Sequence, residues 1–237
     1  MHNRNCFLTL TYSPENLPQP EYPTLRLPDF QKFMKRLRKR YGSGIRFFHC
    51  GEYGDENHRP HYHALLFGHD FEDKVLWKVT AQGDKLHTSA ELQDLWPHGF
   101  STSGAVTFES AAYTARYVVK KVTGKAAAAH YSCAETGLVR EPEYVTMSRM
   151  PGIGHAWIEK YHDEVARHDS VIMRGVQVSV PQYYRDYIKN IDPLKARKNR
   201  GQRVRAAKAH AADQTPSRLA VRETVKRAQI STLKRTT

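Results

Sequence analysis

Long hydrophobic runs, paired cysteines and acidic residues are all scarce in this 237-residue chain. Each scarcity argues against a class of protein. No apolar stretch approaches the length of a membrane span, and no signal-peptide pattern opens the sequence, so the reading is of a soluble protein that stays where it is made. The three cysteines (Cys6, Cys50, Cys133) are odd in number, widely spaced and in no Cys-x-x-Cys pair. That argues against a disulfide framework or a thiolate zinc site and fits a reducing compartment. No Gly-x-x-x-x-Gly-Lys-Ser/Thr run occurs, since Gly124-Lys125 is followed by alanine, so no nucleotide-driven helicase is read here. A His-Glu-x-x-His helix is also missing, which counts against a zinc hydrolase.

Acids number 24 against 37 lysines and arginines, a net charge of +13. The excess is uneven. From Ile191 to Thr237 there are 13 Lys/Arg and three acids (Asp192, Asp213, Glu223), or +10. A second cluster runs from Lys32 to Arg40 and includes Lys32, Lys35, Arg36, Arg38 and Lys39. Basic density of this kind favours a polyanionic partner, although a solvated helix face and a solubilising tail would look the same. Hydrophobic content of 40% fits a folded body with a polar extension. The expected division is a domain over residues 1–190 and a basic, flexible tail over 191–237, either disordered or helical only on nucleic acid.

Cys6 to Tyr12 reads as a first strand, rich in β-branched and aromatic residues. Five prolines between Ser13 and Pro28 dictate an irregular loop. Phe30, Phe33, Met34 and Leu37 recur at helical spacing within Asp29–Tyr41, and Gly42 ends that helix. Ile45–Glu52 and His61–Phe67 are predicted strands separated by a turn-forming stretch, so they pair as an antiparallel hairpin. A small accessory hairpin is expected over 75–79 and 85–88, a short helix capped by Ser89, a strand over 104–108 and a helix over 110–122. Further on, the pattern predicts a strand near 143–148, a helix over 154–168, one strand over 171–180 and a final helix opened by Pro181. The fold class is α+β, a central antiparallel sheet flanked by helices.

Two features carry chemistry. On a strand, residues i and i+2 share a face, so His61 and His63 stand side by side. Glu52 on the preceding strand completes an open, three-ligand set. Two imidazoles and a carboxylate suit Mn²⁺ or Mg²⁺ and leave positions free for phosphate oxygens and water, while zinc would also accept them. His49 has the opposite strand parity and should face away; His58 lies in the turn. The imidazoles must be neutral to bind, so activity should fall below about pH 6.5. The second feature is Tyr113 and Tyr117, four apart on one helix face, with Arg116 and Lys120 each three residues on and Lys121 beside them. A phenol of reference pKa about 10 needs a polarised phosphate and nearby cations to attack. Such an attack leaves a 5′-phosphotyrosine and a free 3′-hydroxyl, conserving the phosphodiester's energy for rejoining.

Several segments together resemble the HUH endonucleases of the rolling-circle replication initiator class, and more narrowly the replication proteins of gokushovirus-type microviruses, which are small single-stranded DNA phages. They are Phe7–Tyr12, Gly51–Gly54 with Arg59–His63, Leu95–Phe100, Tyr113–Lys121 and Ser148–Gly154. The resemblance extends over roughly residues 5–160. It implies metal ligation by Glu52, His61 and His63, nucleophile roles for Tyr113 and Tyr117, and a sheet related to RNA-recognition-like domains. It further implies a single-stranded DNA origin as substrate, host helicase and polymerase as partners, and the cytoplasm of a bacterial host as location. Because the first strand begins almost at once, an upstream segment common in relatives is expected to be missing. Two alternatives stay open: a related transposase or plasmid initiator, and a non-catalytic single-strand binder whose sheet aromatics stack bases.

Overall fold

The computed structural model describes residues 2–54, 57–116 and 121–232. It falls into two compact units, His2–Ile153 and the chain from Gly154 onward. The described residues of the first unit form a seven-stranded sheet in which every pairing is antiparallel. Its strands are β1 (Asn5–Thr11), β2 (Arg46–Tyr53), β3 (Pro60–Phe67), β4 (Val75–Val79), β5 (Lys85–Thr88), β6 (Ser101–Gly104) and β7 (Tyr144–Met147). The order across the sheet is β4-β5-β6-β1-β3-β2-β7. The α+β class read from the sequence is therefore the observed one.

Strand parity sorts the side chains. Cys6, Leu8 and Leu10 of β1, and Tyr62, Ala64 and Leu66 of β3, are all fully buried on one face. Against that face packs α1 (Leu27–Tyr41), because Phe30, Phe33, Met34 and Leu37 form an apolar stripe at helical spacing. Gly42 stops the helix with φ 101° and donates its N–H to Arg38 O. A second short helix, α2 (Ala90–Leu95), joins the same core through Leu92 and Leu95. Ser89 caps it, its hydroxyl accepting from Leu92 N at 3.0 Å. The hairpin β4–β5, expected as an accessory, is the outer edge of the main sheet, attached through the pairing of His87 with Ser103. Gly99 allows residues 98–100 to lie against 11–13, where a Cβ would collide with Ser13 N and Thr11 O.

The opposite face receives α3 (Phe108–Arg116). The strand expected over 104–108 lies earlier, over the polar Ser101–Gly104, and Phe108 already belongs to α3. The reason is a reciprocal cap. Ser110 N donates to the Thr107 hydroxyl at 3.1 Å, and Thr107 N donates to the Ser110 hydroxyl at 2.9 Å. A further helix, α4 (Ala126–Tyr131), was not expected from the sequence.

In the second unit, α5 (His155–His168), α6 (Gln182–Ile191) and α7 (Pro193–Ala209) surround a small core of Ile158, Val165, Ala166, Val180 and Ile188. The single strand expected over 171–180 is instead a hairpin of β8 (Ser170–Met173) and β9 (Val176–Ser179). Its turn is Arg174-Gly175, both at positive φ. The stretch beyond 191, expected as a flexible tail, contains α7 and α8 (Pro216–Ser231). Polar contacts hold α7: Asn199 Nδ2 donates to Ala166 O at 2.8 Å, and Arg203 pairs with Asp169. No residue of α8 is buried. No described helix is long and apolar enough to cross a membrane.

Candidate metal and tyrosine centre

The β2–β3 hairpin sets the site by register. Glu52 lies directly opposite His61, and Cys50 opposite His63, so all four side chains project from the face that α3 covers. Glu52 Oε1 lies 2.7 Å from His61 Nε2 and 3.0 Å from His63 Nε2. Glu52, His61 and His63 form a group whose ligand atoms all lie within 4.8 Å of one another. Glu52 and His63 are buried and His61 is half-buried.

The far nitrogens are also held. His61 Nδ1 donates to the carbonyl of Arg59 at 3.0 Å, and His63 Nδ1 lies 3.1 Å from the Thr9 hydroxyl on β1. For His61 this has a consequence. A carbonyl takes only a proton donor, so Nδ1 carries the hydrogen and the Nε2 lone pair of the neutral ring faces the Glu52 carboxylate. Two lone pairs at 2.7 Å repel unless a positive charge lies between them, either a proton or a metal ion. The spacing suits the latter: neighbouring ligand atoms on an octahedral ion with bonds of about 2.1 Å are about 3 Å apart. Burial pushes the Glu52 carboxyl up, but its contacts with the two imidazoles pull it down further, to about 2. It is a carboxylate throughout the useful pH range.

The ring of Tyr113 stands edge-on to His63, with centroids 5.2 Å apart. Phe7 of β1 stacks flat on the other side of the site, 5.4 Å from the His63 ring, and meets Tyr113 edge-on at 6.4 Å. Thus α3 brings one of the two expected tyrosines to the histidines. Arg116 is half-buried and its Nε donates to Ala112 O of its own helix at 3.3 Å. Tyr117 and Lys120 lie outside the described residues; Lys121 is described and exposed.

His49 faces away, as its parity requires: it is fully buried and stacks on Phe30 of α1, centroids 3.4 Å apart. His58 sits in the turn at φ 48° and is not in the ligand group. The basic residues of α1 also lie on the far face of the sheet. Two of them make structural contacts, Arg36 donating to Leu95 O and Arg38 to Ile45 O. Lys32, Lys35 and Lys39 are exposed. Sequence reasoning assigned no task to Thr9 or Phe7. The signal was their alternation on β1, legible only once β1 is known to pair with β3 and to set Thr9 opposite His63.

Residues 5–122 match the model of the family described as replication-associated protein ORF2/gene 2 protein. Through them the chain belongs to that family. It is 36% identical over 207 residues to the replication-associated protein VP4 of Bdellovibrio phage phiMH2K, covering 82% of this chain and 61% of that protein. Against the replication-associated protein ORF2 of Spiroplasma virus 4 it is 34% identical over 193 residues, 76% of this chain and 56% of the relative. Against the replication-associated protein ORF4 of Chlamydia phage 1 it is 28% identical over 209 residues, 80% and 47%. The chain therefore spans roughly half to three-fifths of these relatives' lengths. No solved structure matches.

Proposed function

We propose that this protein initiates rolling-circle replication of a small single-stranded DNA phage genome, by cutting and rejoining single-stranded origin DNA through a tyrosine. The single observation that carries the reading is the Tyr113 ring 5.2 Å from that of His63, beside a carboxylate–imidazole set fitted to a divalent ion. Membership of a family of replication-associated proteins supports it.

Glu52, His61 and His63 would hold Mn²⁺ or Mg²⁺, which supplies Lewis-acid polarisation of a phosphodiester oxygen. The remaining work belongs to the chain. Thr9 and the Arg59 carbonyl orient the two imidazoles so that both Nε2 atoms converge on Glu52. Phe7 and Tyr113 wall the His63 ring and exclude water from its flanks. The tyrosine oxygen attacks phosphorus, the bond from phosphorus to the 3′-oxygen breaks, and that oxygen leaves as a 3′-hydroxyl able to prime synthesis. The phosphate stays on the tyrosine as a diester, so attack by another 3′-hydroxyl restores a DNA joint without further energy. Tyr117 is the second nucleophile in this reading, with Arg116 and Lys120 as the assisting cations. Host helicase and polymerase would act on the opened strand.

The test uses single-stranded phage DNA fragments labelled at the 3′ end, with Mn²⁺ and denaturing gels. A 5′-phosphotyrosine joins the fragment downstream of the cut, so the 3′ label should migrate with the protein. The Tyr113→Phe/Tyr117→Phe double variant should give no adduct, a fall of at least about a thousandfold. An undiminished adduct in that variant would remove the tyrosines from the chemistry.

A further inference from the structure

Beyond the ligand set, the same sheet face carries an aromatic pair with no structural task. Trp77 of β4 and Phe100, just before β6, stand edge-to-face with centroids 4.9 Å apart. Both are exposed, 51% and 44%. The hairpin around Trp77 buries little: Val75, Leu76 and Val79 are exposed by half or more. An apolar surface left in water at a sheet edge is a liability unless something covers it.

Register identifies what lies nearby. Thr11 N donates to Phe100 O at 2.9 Å, continuing the β1–β6 ladder in which Thr9 faces Thr102. Thr11 faces His61, and His61 faces Glu52. Phe100, Thr11, His61 and Glu52 therefore stand in one line across four neighbouring segments. By strand alternation Phe100, like Thr102, belongs to the face of the metal ligands. Two interstrand spacings of about 4.8 Å put Phe100 and His61 about 10 Å apart. Trp77 is the extra residue where the β4–β5 register shifts between Leu76 and Lys78. Such a bulge re-aims a side chain out of the regular pleat. Exposed Lys78 follows it.

We infer that Trp77 and Phe100 form a stacking subsite for an unpaired base of single-stranded DNA next to the phosphate at the metal centre. The inference rests on the nicking function proposed above and adds to it a place where the strand is gripped. Every base offers a π-face, so an indole–phenyl platform holds a strand without reading its sequence, and Lys78 faces the backbone charge. The shared line with His61, together with a chain of charge +13, favours a nucleic-acid strand over a protein partner at this edge. It also makes the pair a positioning element, since a base held about 10 Å from the ligands limits where the neighbouring phosphate can sit.

The experiment measures binding of a short oligo-dT strand to the full chain in metal-free buffer, by anisotropy and by tryptophan fluorescence. Wild type should bind with quenching. Trp77→Ala and Phe100→Ala should each weaken binding about ten- to a hundredfold, with most of the quench lost in Trp77→Ala. Trp77→Phe should restore most of the affinity, which a purely structural role at an exposed site would not require. Mn²⁺ affinity by calorimetry should be the same in all four proteins, showing that the fold and ligand set persist. Equal affinity and equal quenching in wild type and Trp77→Ala would overturn the subsite. So would a loss of self-association in that variant with DNA affinity unchanged, which would make the edge a protein interface. Failure of the nicking function is separable: wild type would then give no adduct with Mn²⁺ while the metal-free binding differences remained.

Discussion

The two faces of the central sheet are made from alternate residues of the same strands, yet they share almost no chemistry. Tyr62 on one face is fully buried; its hydroxyl accepts from Arg26 N at 2.8 Å and lies 2.8 Å from the Tyr12 hydroxyl, which in turn donates to Asp29. On the other face, the residues immediately before and after it aim their Nε2 atoms at a buried carboxylate. The histidines make the contrast sharper. His49 has its Nδ1 on the Thr146 hydroxyl, and its Nε2 has no hydrogen-bond partner among the described residues. His63 has a hydroxyl at one nitrogen and the Glu52 carboxylate at the other. Parity therefore decides whether an imidazole becomes a neutral core ring or a ligand. One face is built to exclude charge, the other to gather it.

The largest effect that could break this contrast comes from the ligand side. His63→Ala removes one Nε2 and leaves Glu52 buried with half its partners. Mn²⁺ affinity by calorimetry should fall by more than about a hundredfold, and covalent adduct formation should become undetectable. Substituting the opposite face, as in His49→Phe, should leave Mn²⁺ affinity at the wild-type value. If both variants lose the metal equally, the two faces are not independent and the site cannot be assigned to Glu52, His61 and His63.

Much of this contrast was legible in the sequence because it depends on a period of two. Glu52, His61 and His63 could be grouped from spacing and a turn, and His49 could be set aside by parity. What remained hidden was long-range. Nothing local in Cys6–Tyr12 says that β1 inserts between β3 and β6, so neither Thr9 nor Phe7 could be tied to His63. Elsewhere composition misled. Ala105-Val106-Thr107-Phe108 reads as a strand, but the Thr107–Ser110 cap starts a helix at Phe108, and the true strand is built of serine, threonine and glycine. The basic C-terminal stretch lacks an apolar stripe, which suggested disorder. Its helix α7 is fixed instead by Asn199 and Arg203, through pairings that no periodicity announces.

A second, intermediate effect sharpens the comparison through pH. Burial holds His49 well below its usual value of 6.5, with the nearby His63 adding to the depression. The folded protein therefore keeps His49 neutral while the unfolded chain takes up a proton below about 6.5. The unfolded state binds more protons, so stability falls as pH drops, by about 1.4 kcal/mol per pH unit. Glu52, near 2 when folded against 4.5, adds its loss only further down, as pH falls below about 4.5. Metal-free protein should lose about 2 kcal/mol between pH 7 and pH 5 by urea unfolding, and His49→Phe should be flatter across that window by most of that amount. An unchanged slope in the variant would mean that His49 is protonated in the folded state and that the dry face does not exclude charge.

The smallest effect concerns the exposed cations of α1. Because α1 packs on the face opposite the ligands, Lys32, Lys35 and Lys39 cannot share a phosphate with Tyr113 and can only hold DNA that wraps around to the far side. Replacing the three with alanine should leave the adduct rate at saturating single strand within about twofold of wild type. Affinity should weaken, and the dependence of log affinity on log salt should flatten by about 0.7 for each phosphate no longer held, so by no more than about 2. A change in the saturated rate larger than in affinity would put α1 beside the reacting phosphate, against the parity of every strand between them. An unchanged salt slope would instead confine the DNA path to the ligand face, and Lys32, Lys35 and Lys39 would then be solvating charges on a helix whose other side already accounts for its place in the fold.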